Sequence, residues 1–308
     1  MSSRLRRAKL GRSLHQPVDR QHRPELIGKA RARASIAISA SRSPRAASVM
    51  LLQYSMEGNR WPLRGLGLKV LDLPAEVGYY QRLGLRLLES DADHATLGFE
   101  ASPVLHLRRL EGGKPRPGRS AGLYHFALLL PDARTLGQFL WRCADLGVPL
   151  DGASDHLVSQ ALYLSDPEGN GIEVYADRPA EAWTWVGDQV QMAVDPLDIE
   201  GLMRDGPGKL PEFPADSRLG HMHVTSGDVD RSVDFYRELG MDRTAGFGPF
   251  QFVSWERYHH HLGINLLSGP GAERVTDEVA GLEYFEILSP DLEAGALIDP
   301  DGIRLELV

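Results

Sequence analysis

Four stretches of the chain repeat one pattern of apolar and polar positions. Each has an apolar run of strand length, then an Asp, then a segment that can be a helix. The stretches are 66–72, 124–132, 221–228 and 284–291, ending on Asp72, Asp132, Asp228 and Asp291. The first three Asp residues stand where helix N-caps belong, because a short carboxylate accepts from the free N–H groups of a first helical turn. Gly84, Gly147 and Gly240 each follow a Leu at the far end of the expected helix, where a left-handed residue ends helical hydrogen bonding. The clearest helix is Ala133–Leu146, with Leu136, Phe139, Leu140 and Cys143 on one face. After each helix, short apolar runs parted by turn signals predict about three strands. In module two these include Ala161-Leu-Tyr-Leu, the turn Asp166-Pro-Glu-Gly-Asn-Gly, and Ile172-Glu-Val-Tyr.

The expected fold class is therefore α+β, built from tandem βαβββ modules. The Asp positions lie 60, 96 and 63 residues apart. The wide middle gap predicts a linker over 179–218, rich in Pro and Gly. By chain order, modules one and two make a first domain over 62–178, and modules three and four a second over 219–308. Only 28 residues run from Gly281 to Val308, so the fourth module is expected to be truncated, with its helix nearly gone.

Charge divides the chain. Residues 1–49 hold 12 Lys+Arg and two acids, a net of +10, so the remainder carries −18 of the total −8. An acidic folded part repels nucleic acid. The basic head, taken as residues 1–55, has no apolar period to bury. It reads as a disordered tail, as a presequence by composition, or as upstream sequence ahead of a true start at Met50 or Met56. No run is apolar and long enough to span a membrane. The lone cysteine, Cys143, rules out an internal disulfide and fits a cytoplasmic setting. It reads as a buried hydrophobe on its helix.

Glu173 carries the sharpest chemistry. It sits between Ile172 and Val174 on the strand after the Asp166 turn, so it faces away from their side of the sheet. A carboxylate facing inward needs a partner, and a metal is the best one. The stretch from Ser154 to Glu173 resembles the extradiol ring-cleavage dioxygenase signature. It has His156, then Leu162-Tyr163, then Asp166-Pro-Glu-Gly169, closing on Glu173. Ser154, two before His156, departs from that pattern. The tandem layout over 62–308 is similar to the vicinal-oxygen-chelate superfamily of glyoxalases, bleomycin-resistance proteins and extradiol dioxygenases. The elements Gly122–Ala127, Asp177–Pro179 and Arg257-Tyr-His-His-His-Leu-Gly resemble bacterial catechol-2,3-dioxygenase-like proteins.

The resemblance implies two ligand positions per module, one seven residues before the capping Asp and one on the last strand. His125 and His221 fill the first position in modules two and three, where modules one and four have Gly65 and Tyr284. Glu173 and Glu306 are the last-strand candidates. If module two pairs with three, the site is His125, Glu173 and His221, a 2-His-1-carboxylate set of the kind that holds non-haem iron(II). If module one pairs with two, His106 replaces His221. The first pairing is preferred, because it strands only Glu306. The same donors accept manganese. By resemblance, His260 handles protons, while His156 and Tyr163 hydrogen-bond the substrate. Strand alternation forbids His259 and His261 from pointing with His260, and His223 reads as packing beside the site.

The expected activity is ring cleavage of a catechol-type aromatic diol with O2. The rivals are a glyoxalase-type metal isomerase or lyase and a non-enzymatic binding protein of the same fold. Oligomeric state stays open, a homo-oligomer included.

Overall fold

The computed structural model describes residues 61–274, 276–288 and 293–308. The basic head, with Met50 and Met56, lies outside them, as does Asp291. Module one comprises β1 (Leu63–Val70), α1 (Leu73–Leu83), β2 (Arg86–Ser90), β3 (His94–Phe99) and β4 (Ser102–Arg109). Module two comprises β5 (Gly122–Leu130), α2 (Ala133–Leu146), β6 (Gly152–Asp155), β7 (Ser159–Ser165) and β8 (Gly171–Asp177). The connecting segment carries a small hairpin, β9 (Trp185–Val186) and β10 (Gln189–Val190), and a helix α3 (Ile199–Asp205). Module three comprises β11 (Arg218–Thr225), α4 (Val229–Glu238), β12 (Asp242–Phe247), β13 (Phe250–Ser254) and β14 (Leu262–Asn265). Module four keeps β15 (Gly281–Ile287), β16 (Gly295–Ile298) and β17 (Arg304–Leu307), with no helix among the described residues.

The helix ends follow the local chemistry. Asp72, Asp132 and Asp228 each accept from the backbone N–H three residues on, at Ala75, Thr135 and Arg231. Helix α2 buries Leu136, Phe139, Leu140 and Cys143, as its period requires.

The strands form two large curled sheets. One runs β12-β13-β14-β11-β5-β8-β7-β6 and joins module three to module two. The other runs β16-β17-β15-β1-β4-β3-β2 and joins module four to module one. Each sheet therefore draws on both chain-order domains, through β11 beside β5 and β15 beside β1. Helix contacts tie the sheets the other way. Tyr80 on α1 donates to Asp166 in the β7–β8 turn at 2.7 Å, and Tyr236 on α4 donates to Asp299 in the β16–β17 turn at 2.9 Å. The same Tyr–Asp clasp thus joins modules one and two, and modules three and four.

The connecting segment is built into the fold rather than slack. Helix α3 packs on α2 so closely that a Cβ on Gly137 would lie 2.3 Å from the Leu202 carbonyl. Only glycine permits that approach.

Candidate metal centre

The site lies where β11, β5, β8 and β7 run side by side. Cross-strand register sets His221 opposite Ala127, Ala127 opposite Glu173, and Glu173 opposite Tyr163. One row of four strands thus presents His, Ala, Glu and Tyr, and the small Ala127 leaves room between the two flanking side chains. One row along, His223 faces His125, and His125 faces Gly171. A Cβ on Gly171 would meet the Tyr124 carbonyl at 2.2 Å and the His125 Cβ at 3.0 Å. The turn before β8 is fixed by Asp166, whose carboxylate accepts from Glu168 N, Asn170 N and Asn170 Nδ2 at 2.7–3.0 Å, besides Tyr80.

Three donor atoms converge. His125 Nε2 lies 3.0 Å from Glu173 Oε2, His221 Nε2 lies 3.2 Å from the same oxygen, and the two nitrogens are 3.3 Å apart. All three residues are buried, and theirs is the one such metal-competent cluster among the described residues. For a metal–imidazole bond of about 2.1 Å, donors on an octahedral face lie about 3.0 Å apart and tetrahedral donors about 3.4 Å apart. The observed triangle falls between these values. Hydrogen bonding alone satisfies it poorly, because two N–H groups both aimed at Glu173 would face each other at 3.3 Å. Burial lowers the His221 imidazole to about 4 against the pull of Glu173, leaving a neutral ring with a lone pair to give. Burial also opposes charge on Glu173, yet His221 and His125 beside it hold its carboxyl well below the usual range. Two imidazoles and one carboxylate make a donor set that fits a divalent ion.

The other sequence candidates divide. Tyr163 sits in the same row, and its hydroxyl lies 2.6 Å from His156 Nε2. The second nitrogen of His156, Nδ1, donates to the Ala193 carbonyl at 2.7 Å, so the connecting segment orients this ring. The His260 ring packs 4.2 Å from His221 and 4.9 Å from Phe252, centroid to centroid. His223 packs on His125, Tyr124, Phe250 and Phe252, with a buried Nε2 that has no partner among the described residues. His106 lies in the other sheet, 3.3 Å from Thr96 Oγ1 and stacked on Tyr284. Glu306 pairs with Arg304 on its own strand.

The histidine run departs from the strand expectation. Residues 255–261 form a loop after β13, entered through Glu256 and Arg257, both at positive φ. Without strand alternation, His259 is free to lie against His260, and their Nδ1 atoms are 2.7 Å apart. His261 turns instead to Ser254 Oγ, 2.8 Å from its Nδ1. Asp177, which ends β8, reaches His259, a contact that no local spacing announces.

A 2-His-1-carboxylate cluster on paired βαβββ modules places the chain in the vicinal-oxygen-chelate superfamily, the glyoxalase/bleomycin-resistance/dioxygenase group. Within that superfamily it belongs to the catechol-2,3-dioxygenase-like proteins. It is 38% identical over 223 residues to the catechol-2,3-dioxygenase of Bacillus subtilis (strain 168), covering 70% of this chain and 78% of that one. No protein-family model matches. Among solved structures, a Bacillus subtilis protein described as a dioxygenase superposes with a TM-score of 0.55, at 14% identity over 80% of this chain and 84% of its own. Glyoxalase I of Zea mays gives 0.47, at 16% identity over 80% and 91%. No helix among the described residues is long and apolar enough to cross a membrane.

Proposed function

We propose that this protein is an extradiol dioxygenase that opens a catechol-type aromatic diol with O2, using one iron(II) held by His125, Glu173 and His221. The observation that carries this reading is the buried donor triangle with 3.0–3.3 Å edges, taken with a relative that is a catechol-2,3-dioxygenase. Iron bound there would hold diol and dioxygen together and pass charge between them. Manganese suits the same donors.

The chain's own residues supply the rest. With a divalent ion, a site holding one carboxylate has a net charge of +1, which favours a singly deprotonated diol over a neutral one. Removing that first proton, and returning one later, is work for a group beside the metal. The His260 imidazole packs against His221, where it can take up and return a proton. Tyr163 and His156, joined at 2.6 Å across the row from His221, offer a hydroxyl and an imidazole to the diol oxygens. Phe252, Phe250 and Phe247 pack on one another beside His260 and His223, an apolar flank suited to an aromatic ring. The glyoxalase-type alternative calls for a second carboxylate on the last strand of module three. That strand, β14, reads Leu262-Gly-Ile-Asn265 and has none.

The test is to purify the protein without oxygen, load iron(II), add catechol and air, and watch for the yellow ring-opened product. Yellow product that vanishes in His260→Gln, with iron retained, supports the reading. Stoichiometric iron with no product from catechol or its alkyl-substituted forms would refute it.

A further inference from the structure

Buried His259 and half-buried Asp177, both outside the donor set, line up behind His260. His259 Nε2 lies 2.8 Å from Asp177 Oδ1, and His259 Nδ1 lies 2.7 Å from His260 Nδ1. The other Asp177 oxygen accepts from the Tyr258 hydroxyl at 2.9 Å, and that hydroxyl lies 2.7 Å from the hydroxyl of Tyr175. Histidines 259 and 260 are 0% and 5% exposed, so solvent cannot satisfy their nitrogens.

The proton positions follow from valence. An ionised carboxylate only accepts, so His259 carries its proton on Nε2. A neutral His259 then has a bare Nδ1. One proton must lie between the two Nδ1 atoms at 2.7 Å, and it can come only from His260. His260 is thereby the Nδ1–H tautomer, with a lone pair on Nε2. The opposite tautomer would put an N–H on Nε2 and leave no base there. The reversed arrangement needs a cationic His259, a further buried positive charge close to a site built for a divalent cation.

We propose that Asp177 and His259 are positioning residues that fix His260 in its Nδ1–H tautomer and hold the Nε2 lone pair ready. This rests on the reading of His260 as the proton-handling group. Asp177 orders the chain because it is the one member with acceptors alone. The strained entry through Glu256 and Arg257 serves the same end, since it sets two successive histidines side by side where a strand would send them apart.

The experiment is 15N NMR of metal-free, 15N-histidine-labelled protein at pH 8, with His260→Gln used to assign the ring. In the wild type, His260 should show a protonated Nδ1 and a bare Nε2. His259→Phe keeps the ring volume but removes the acceptor, so His260 should shift to, or mix with, the Nε2–H form. His259→Gln keeps an acceptor towards His260 and a donor towards Asp177, and should restore the wild-type pattern. With iron loaded, His259→Phe should lower kcat for catechol about a hundredfold with KM and iron content unchanged, and His259→Gln should recover most of it. A protonated Nε2 on His260 in the wild type overturns the proposal, and that spectrum decides even if His259→Phe fails to fold. An unchanged His260 tautomer in His259→Phe also overturns it. If no catechol is opened but the tautomer behaves as stated, the dioxygenase reading falls and the positioning role stands.

Discussion

Replacing Glu76 by Gln should make the protein more stable at pH 8 and flatten its stability between pH 6 and 8. Glu76 lies on α1 with its side chain buried, facing the turn that leads into β8. Its Oε1 accepts from Glu168 N at 3.1 Å, its Oε2 has no partner among the described residues, and Asp166 and Glu168 are close by. Burial first, then the two neighbouring carboxylates, push its carboxyl up to about 9. The sign follows from linkage. A raised carboxyl favours the folded state fully below the unfolded value, near 4.5, and that contribution is lost as pH rises towards 9. Each pH unit inside this window removes about 1.4 kcal/mol, so wild type should lose on the order of 2–3 kcal/mol from this group between pH 6 and 8. A neutral amide keeps the oxygen acceptor for Glu168 N and supplies N–H donors towards Asp166, so Glu76→Gln should not lose that amount. Urea unfolding of both proteins at pH 6 and 8 reads the difference, and titrations common to both cancel. Equal pH slopes would refute the reasoning, because Glu76 would then ionise like an exposed carboxylate.

Other consequences sit closer to the chemistry. Ala127→Val puts branched methyl groups between His221 and Glu173, and should weaken metal binding at least about tenfold with little change in fold; competition with a chelator measures it. Tyr163→Phe removes the hydroxyl next to His156 and should lower kcat about tenfold or more while iron content holds. Phe139→Ala, in the core under α2, should cost about 3–5 kcal/mol in denaturant unfolding without changing iron stoichiometry in the folded protein.

Much of the architecture is legible in the sequence because caps and offsets are local. A strand of fixed rise followed by a capping Asp places His125 and His221 at the same height in their modules, and the turn from Asp166 to Gly171 sets Glu173 facing inward. The order of modules in each sheet is less legible. Only the ligand inventory favours β11 beside β5, since His106 offers a competing set. The interlock of modules one and two through Tyr80 and Asp166 has no sequence signature beyond the turn itself. The loop geometry after Arg257 is illegible too, because two non-glycine residues at positive φ contradict their own propensities. With that loop hidden, the alternation rule separates His259 from His260, and the contact with Asp177, 82 residues away, stays out of reach. The region 179–218 reads as a linker from its Pro and Gly, yet Ala193 within it orients His156. Composition records the breakers and misses a carbonyl in the right place.

The most direct measurement is iron stoichiometry, by elemental analysis, of protein prepared without oxygen and compared across His125→Ala, Glu173→Gln and His221→Ala. The wild type should hold close to one iron per chain, and all three variants should lose bound iron with the fold kept by circular dichroism. Iron retained in His221→Ala would contradict this, because the site would then not be shared between modules two and three.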